Sequence, residues 1–363
     1  MPSIQRNALF LILTISIFTF SHAEVVEISH RHSPQTEVAT PEKVVDGIFV
    51  PVGSSSKKTS LTRDTTTPHR GQPVYHFEAN ADANRIELAE CFGTPENLAG
   101  LSAKEIENLS AIKDVYINSD NGDYGDTIEY EWYTRFPEHL TKRSSAIFAQ
   151  WHGRPDRTLV RDNHGKLHLL SHHDYLAFLD KHDIDPDSHE AIERSTGRRT
   201  GWKVDGSAGG PIGAFKIGNG YMYLLVRNNP TFFSENTTKV KPRPGRGIPN
   251  EVHAPDKSGA LIFERPIDQV PIGQWIRFRV RIQYSAYDPN NREPLAPGRV
   301  QVWIDEQSVT DWNGQIGKND IHGPYFKFGI YKPGPDGFRV DQSAYQFRVI
   351  EKSKHPKVAF QQK

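Results

Sequence analysis

Residues Trp275 to Ser285 read WIRFRVRIQYS and alternate between apolar and polar side chains. Ile276, Phe278 and Val280 belong to the apolar set, and arginines stand between them. A period of two predicts a strand with one buried face and one solvated face. Such strands are typical of antiparallel sheets that pack one face on a core.

Runs of the same kind recur along most of the chain. Residues 126–136, DTIEYEWYTRF, bury Ile128, Tyr130 and Trp132, and residues 84–92, NRIELAECF, alternate in the same way. The 28 glycines and 25 prolines provide the turns between such strands, whereas helical periodicity is scarce. We therefore predict an all-β fold, a β-jelly roll built as a two-sheet antiparallel sandwich.

Composition divides the chain into four parts. Residues 1–23 have the charged, apolar and small-residue regions of a secretory signal peptide, with cleavage near Ala23. Residues 24–156 and 202–352 form the predicted jelly roll, residues 157–201 a thumb-like, partly helical insertion, and residues 353–363 a tail. The apolar run of the signal is shorter than the roughly 20 residues that span a bilayer. We expect a secreted or periplasmic protein without membrane insertion.

Charge and cysteine content narrow the function further. The 44 basic and 44 acidic side chains cancel, which argues against a nucleic-acid protein that binds through net charge. An anionic ligand must therefore meet a local basic surface. Cys91 is the only cysteine, so no internal disulfide forms and packing must supply the stability. We expect a monomer.

One segment that carries reactive groups is SAIFAQWHG, residues 145–153. In a regular strand, Gln150 and His152 share one face with Phe148, and Ile147 lies on the opposite face. Arg154 and Arg157 follow directly, so the polar end of this strand is predicted to lead into a basic turn. A histidine at the end of a core strand is the alternative to a catalytic one.

The other segment is GPYFKFGIYKPG, residues 323–334. Its phenylalanines form an apolar face, which leaves Tyr325, Lys327, Gly329 and Tyr331 together on the other. A glycine between the lysine and the tyrosine predicts room for a ligand to approach the backbone. This strand is expected to form the floor of a groove.

The motifs IFAQWHGRPDRTLV and YFKFGIY resemble the heparin lyase I family, polysaccharide lyase family 13. Weaker similarity extends over most of the mature chain. The resemblance implies a jelly roll with a thumb and the cleavage of an anionic polysaccharide by β-elimination at uronic acids. It also implies catalytic positions at His152, Tyr331 and Arg85, and a binding position at Lys327.

Removal of the C5 proton of a uronic acid needs a base, an acid for the leaving oxygen and groups that neutralise the carboxylate. His152 suits the base, because a neutral imidazole accepts a proton near pH 7. Tyr331 suits the acid, and Arg85 and Gln150 suit the carboxylate. Lys327 is expected nearby, to hold a sulfate or to make Tyr331 more acidic.

Further substrate contacts are predicted at Arg154, Arg157 and Tyr325. The loop KVKPRPGRG, residues 239–247, adds Lys241 and Arg243 as contacts for sulfates, although an ordinary flexible basic loop explains it equally well.

The resemblance also implies a structural calcium ion. Asp205, the carbonyl of Phe232, Asn319 and Asp320 stand at the matching places, and they are the hard oxygen donors that Ca²⁺ prefers. His322 departs from the family pattern, which has an acidic ligand there.

Four readings of the function are open. The first is a lyase that acts on heparin or heparan sulfate and yields 4,5-unsaturated products. The second is a lyase for a less sulfated uronate polymer, such as hyaluronan or chondroitin sulfate, because residues 157–200 carry about as many acidic as basic side chains. The third is a non-catalytic carbohydrate-binding jelly roll. A glycoside hydrolase is weaker, because neither motif offers the two carboxylates that it needs.

A basic stripe at Arg277, Arg279 and Arg281 also resembles a track for a polyanion. The solvated face of an outer sheet explains it more simply.

Overall fold

The computed structural model describes residues 26–28, 49–52, 59–81, 83, 85–90, 124–153, 159–161, 167–169, 211–230, 240–254, 257–288, 293–319 and 323–354. Within these ranges the chain is almost entirely β-strand, and one 3₁₀ turn, Ile267–Gln269, is present. The predicted signal peptide, Cys91, most of the predicted thumb and the end of the predicted tail lie outside them. No helix in the described ranges has the length and apolar character needed to cross a membrane.

Eight strands form one antiparallel sheet, which we call the outer sheet. In spatial order it contains β1 (Val26–Ile28), β3 (Thr59–His69), β4 (Gln72–Ala79), β21 (Phe338–Glu351), β6 (Thr127–Arg135), β14 (Trp275–Gln283), β17 (Gly298–Ile304) and β18 (Gln307–Gly314).

The second sheet, which we call the cleft sheet, carries the predicted site. In spatial order it contains β12 (Asn250–Ala254), β13 (Lys257–Pro266), β11 (Tyr221–Asn229), β10 (Pro211–Gly218), β7 (Ala146–His152), β20 (Tyr325–Tyr331), β5 (Arg85–Glu90) and β2 (Phe49–Val52). A short strand, β19 (Gly317–Lys318), pairs in parallel with β11.

Two small ribbons complete the described strands. One pairs β15 (Ala286–Tyr287) with β16 (Pro294–Ala296). The other pairs β8 (Leu159–Arg161) with β9 (Leu167–Leu169), and it is the described part of the predicted thumb. The helices predicted for that insertion fall outside the described residues.

The two sheets pack face to face over one apolar core, which confirms the predicted all-β sandwich. Trp132 of the outer sheet contacts both Trp151 and Phe326 of the cleft sheet, with ring centroids 6.0 and 5.1 Å apart. Phe278 of β14 stacks on Trp132 at 5.2 Å, so the alternating run at residues 275–285 faces the core as predicted. These contacts fix the cleft sheet on its inner side and leave its other face open.

A β-bulge changes the predicted facing of β7. The register with both neighbouring strands shifts between Ile147 and Ala149. Phe148 therefore joins the core and Ile147 faces the open side, the reverse of the prediction from regular alternation. One extra residue in a strand exchanges the faces on either side of it. Gln150 and His152 still share the open face, as predicted.

Gly329 of β20 has a different role from the predicted one. Its φ is +123°, and a Cβ there would lie 2.5 Å from the carbonyl oxygen of Ile86 and 2.7 Å from Cα of Glu87. The missing side chain therefore allows β20 to approach β5, rather than leaving room for a ligand. A left-handed φ of this kind is strained for any residue with a Cβ.

We expect Gly329→Ala to lower the free energy of unfolding by about 3 kcal/mol, because strain and collision with the β5 backbone add. Gly71→Ala is the matched control, since Gly71 has a φ of +75° but nothing within 4 Å of the added Cβ. It should cost only about 1 kcal/mol. Denaturant unfolding of both variants measures the difference, and equal losses would contradict this account.

Candidate active site

Three adjacent strands, β5, β20 and β7, bring the predicted residues together. Antiparallel pairing sets Tyr331 opposite Arg85, and it sets Lys327 opposite Gln150. His152 pairs with Tyr325 in the next row. Side chains from all three strands line one cleft of about 200 Å³ on the open face of the cleft sheet.

His152 lies half-buried at the end of β7. Its Nδ1 is 2.8 Å from the carbonyl oxygen of Gly153. A carbonyl only accepts, so in the neutral ring Nδ1 carries the proton and Nε2 keeps a free lone pair. Burial holds the pKa of His152 well below its usual 6.5, and the positive charges of Lys327, Lys318 and Arg85 lower it further. The ring is therefore neutral at pH 7 and able to accept a proton through Nε2.

Gln150 is fixed by a partner that sequence analysis did not single out. Its Nε2 donates a hydrogen bond to Oε1 of Glu87, and both side chains are buried. Glu87 Oε2 also lies 4.0 Å from Nη1 of Arg85. The Glu87 carboxylate thus orients the amide of Gln150 and lies near the guanidinium of Arg85. An amide nitrogen has two protons, so Gln150 Nε2 retains one donor for a ligand.

Tyr331 stands against the guanidinium of Arg85, whose Cζ is 4.6 Å from the ring centroid. The ammonium of Lys332 is 5.2 Å from the same ring. Lys327 was predicted to hold a sulfate or to make Tyr331 more acidic, and its ammonium lies over the Tyr325 ring at 4.8 Å. The cations that contact the Tyr331 ring are therefore Arg85 and Lys332. Lys327 itself is buried and lines the cleft.

Other basic residues line the cleft without having been predicted. They are Lys216 of β10, Arg227 of β11 and Lys332 after β20. Alternation alone places Arg227 on the face opposite the core residues of β11. That β10 lies beside β7 follows only from the sheet order, which the sequence does not reveal.

The predicted loop contacts divide between two cavities. Lys241 lines the cleft, whereas Arg243 lines an adjoining cavity of about 590 Å³. Tyr325 stands beside His152, with ring centroids 5.6 Å apart. Arg154 and Arg157 lie outside the described residues.

Comparison with known proteins identifies the family. A family model described as "Polysaccharide lyase" matches residues 28–347. This chain belongs to the polysaccharide lyase family. Heparin lyase I of Pedobacter heparinus is 26% identical over 367 residues, which cover 91% of this chain and 95% of that protein. The resemblance predicted from the two motifs is confirmed, and a polysaccharide is the substrate class of this lyase.

Solved structures of other polysaccharide lyases are more distantly similar. The endo-β-1,4-glucuronan lyase of the fungus Trichoderma reesei has 13% identity and a TM-score of 0.35, with 85% of this chain and 89% of that chain covered. Alginate lyase vAL-1 from Chlorella virus has 9% identity and a TM-score of 0.37, with 83% and 93% covered. The sequence matches, rather than these structures, assign this polysaccharide lyase to its family.

The calcium ligands implied by the family are described only in part. Asp205, Phe232 and Asp320 lie outside the described residues. Asn319 is buried, and its Nδ2 donates to the carbonyl of Pro230 at 2.8 Å. This bond turns the amide nitrogen towards protein and leaves Oδ1 as the side-chain atom suited to a hard cation. Within the described ranges, no group of three or more His, Cys, Asp or Glu side chains forms a metal site.

The basic stripe of β14 lies on the outer sheet, away from the cleft, where two of its three arginines pair with carboxylates and Arg279 lies over the Trp303 ring. Arg277 Nη2 is 2.7 Å from Oε2 of Glu131, and Arg281 Nη2 is 2.7 Å from Oε2 of Glu129. Burial would raise the pKa of Glu129, but hydrogen bonds from Arg281 and Arg348 outweigh it and lower the pKa. Of the two interpretations, a track for a polyanion and the solvated face of an outer sheet, these ion pairs favour the second.

We expect Lys327→Met to raise the pKa of His152, because it removes a positive charge that opposes protonation of the ring. The ring of this lyase should then become charged at a higher pH than in the wild type. An NMR titration of the His152 imidazole signal, assigned with His152→Asn, measures the shift. Lys354→Met, which changes an exposed lysine paired with Glu351, should leave the titration unchanged. An unchanged or lower pKa in Lys327→Met would contradict the electrostatic account.

Proposed function

We propose that this polysaccharide lyase cleaves a glycosaminoglycan, heparin or heparan sulfate, by β-elimination at uronic acid residues. The observation that carries the proposal is the neutral imidazole of His152, with an unprotonated Nε2, which lines the same cleft as Tyr331, Arg85 and Gln150. The similarity to heparin lyase I supports the substrate class.

In the proposed reaction, Arg85 and Gln150 bind the uronate carboxylate and stabilise the charge that develops when C5 loses its proton. His152 Nε2 takes that proton, and the electron pair of the C5–H bond forms the C4–C5 double bond. The C4–O bond on the non-reducing side of the uronic acid breaks as this double bond forms. Tyr331 donates its hydroxyl proton to the departing oxygen. One product has an unsaturated uronate, and the other has a new hydroxyl group.

Two other functions fit the site less well. A hydrolase needs an acid and a second carboxylate on either side of the bond. Among the described residues, no Asp or Glu side chain lines the cleft, and Glu87 is buried beside Gln150. A carbohydrate-binding domain needs cations and aromatic rings but has no use for a neutral histidine and a tyrosine hydroxyl in the same cleft. The lyase reaction uses both groups.

We expect incubation with heparin or heparan sulfate to produce the ultraviolet absorbance of a 4,5-unsaturated uronate. His152→Ala and Tyr331→Phe should each lower kcat by about 100-fold or more, because each removes one proton-transfer group. Hyaluronan and chondroitin sulfate, in parallel assays, test the less sulfated alternative. Arg299→Gln on the outer sheet is the control and should keep full activity. Product formation without the absorbance would indicate a hydrolase, and binding without products would indicate a carbohydrate-binding domain.

The proposal includes a structural calcium ion at Asp205, Phe232, Asn319 and Asp320, and secretion as a monomer. If calcium is bound there, a chelator should lower the midpoint of thermal unfolding, and added Ca²⁺ should restore it. Mg²⁺ serves as the control, since it accepts such irregular oxygen sites poorly. An unfolding midpoint unaffected by the chelator would remove calcium from the proposal.

A further inference from the structure

A group of cations extends from the cleft to one side of the proposed catalytic residues. Lys216 of β10, Arg227 of β11 and Lys241 after β11 line both the cleft and the adjoining cavity. We call these three residues the lateral cluster. Arg243 and Arg246 continue the same surface around the second cavity.

The positive charge of the lateral cluster is not balanced by acidic groups. Among the described residues, none of its three members forms an ion pair with a carboxylate, and no Asp or Glu side chain lines either cavity. On β14, in contrast, Arg277 and Arg281 pair with Glu131 and Glu129, and Arg279 lies over the Trp303 ring. A cluster of like charges destabilises a fold unless a ligand neutralises it.

Part of the hydrogen-bonding capacity of the lateral cluster has no acceptor among the described residues. Arg227 Nη1 donates to the carbonyl of Pro211 at 3.2 Å, which fixes the guanidinium, and its buried Nε has no acceptor among the described residues. The Lys216 ammonium lies 5.6 Å from the Tyr223 ring centroid. Burial and the charges of Arg227, Lys332 and Lys241 lower the pKa of Lys216 to about 8. An anion bound among these groups would supply the missing acceptor and charge.

The cluster lies beside the carboxylate-binding groups and is separate from them. Lys216 pairs with Ile147 of β7, Ile147 pairs with Tyr331 of β20, and Tyr331 pairs with Arg85 of β5. These residues form one row across four strands, with Lys216 and Arg85 at its ends. Adjacent strands lie about 4.8 Å apart. A saccharide chain along this row would place one anionic group at Arg85 and another at Lys216.

We propose that Lys216, Arg227 and Lys241 form a sulfate-binding subsite for the sugar that adjoins the reacting uronic acid. This inference rests on the proposed function and specifies its substrate as a sulfated chain. A sulfate ester stays ionised and presents three terminal oxygens to the three side chains, whereas a carboxylate presents two. The balanced charge of residues 157–200 favoured a less sulfated polymer, but the charge in the described part of the groove is positive.

The test compares kcat/KM on heparin with kcat/KM on the same polymer after chemical removal of its sulfates. In Lys216→Met and Lys241→Met, the ratio of the two values should fall by about tenfold or more, because each variant loses a charge-assisted hydrogen bond to sulfate. Lys241 belongs to a loop, so its variant keeps the test valid if Lys216→Met fails to fold. Lys354→Met is the matched control and should keep the wild-type ratio.

Three results would overturn the subsite. One is a wild-type enzyme with equal kcat/KM on heparin and on the desulfated polymer. Another is an equal loss of kcat/KM on both polymers in Lys216→Met and Lys241→Met. The third is an equal loss on heparin and on polyglucuronate, which would mean that the cluster binds a carboxylate.

Failure of the proposed function is distinguishable from failure of the subsite. If no polymer yields an unsaturated product, the lyase reaction on glycosaminoglycans is wrong. Calorimetry with a heparin-derived tetrasaccharide and its desulfated form then tests the subsite alone. A selective loss of affinity for the sulfated form in Lys216→Met supports it, and equal affinities overturn it.

Discussion

The antiparallel register of β20 between β5 and β7 is the constraint on which the site depends. Arg85, His152 and Tyr331 are far apart in the sequence, and the register alone brings them to one sheet face, with Tyr331 opposite Arg85 and His152 opposite Tyr325. A slip of one residue would turn the whole polar set of β20 into the core. The register is therefore as important to the chemistry as the identity of the side chains.

The core prevents such a slip. Phe326 and Phe328 of β20 pack between the sheets, where Phe326 lies 5.2 Å from Trp151 and 5.1 Å from Trp132. Moving β20 by one position would put the Lys327 ammonium into the apolar core in place of these rings, at a large cost in free energy. Gly329 contributes in another way, since its left-handed φ and absent Cβ allow β20 to close against β5. Packing beneath the sheet thus positions the groups above it.

Much of the fold and part of the site could be predicted from the sequence, for physical reasons. Alternation has a period of two in any strand, so it identified the buried face of β14 and the shared face of Gln150 and His152. It failed at Ile147 and Phe148, because a bulge leaves no mark in the pattern of apolar residues. The interpretation of Gly329 failed because glycine serves close strand packing as readily as ligand approach.

Sheet order accounts for the residues that sequence reasoning missed. The alternation of residues 84–92 puts Glu87 on the same face as Arg85, but its partner Gln150 belongs to a strand that does not adjoin it in the chain. Lys216 was missed for the same reason, because it lines the cleft only through the pairing of β10 with β7. The basic stripe of β14 shows the opposite case. It was conspicuous in the sequence, yet acidic residues of β6 pair with two of its three arginines.

The cations of the cleft have two effects that operate at different stages of the proposed reaction. In the free enzyme, burial lowers the pKa of His152 and keeps its ring neutral, and the charges of Lys327, Lys318 and Arg85 lower that pKa further. A bound uronate carboxylate offsets those charges, so protonation of the ring becomes more favourable once the substrate is in place. The imidazole is therefore unprotonated when the substrate arrives and a stronger base afterwards. No acidic side chain of the described residues lines the cleft, so in the proposed reaction the substrate itself would bring the negative charge that causes this change.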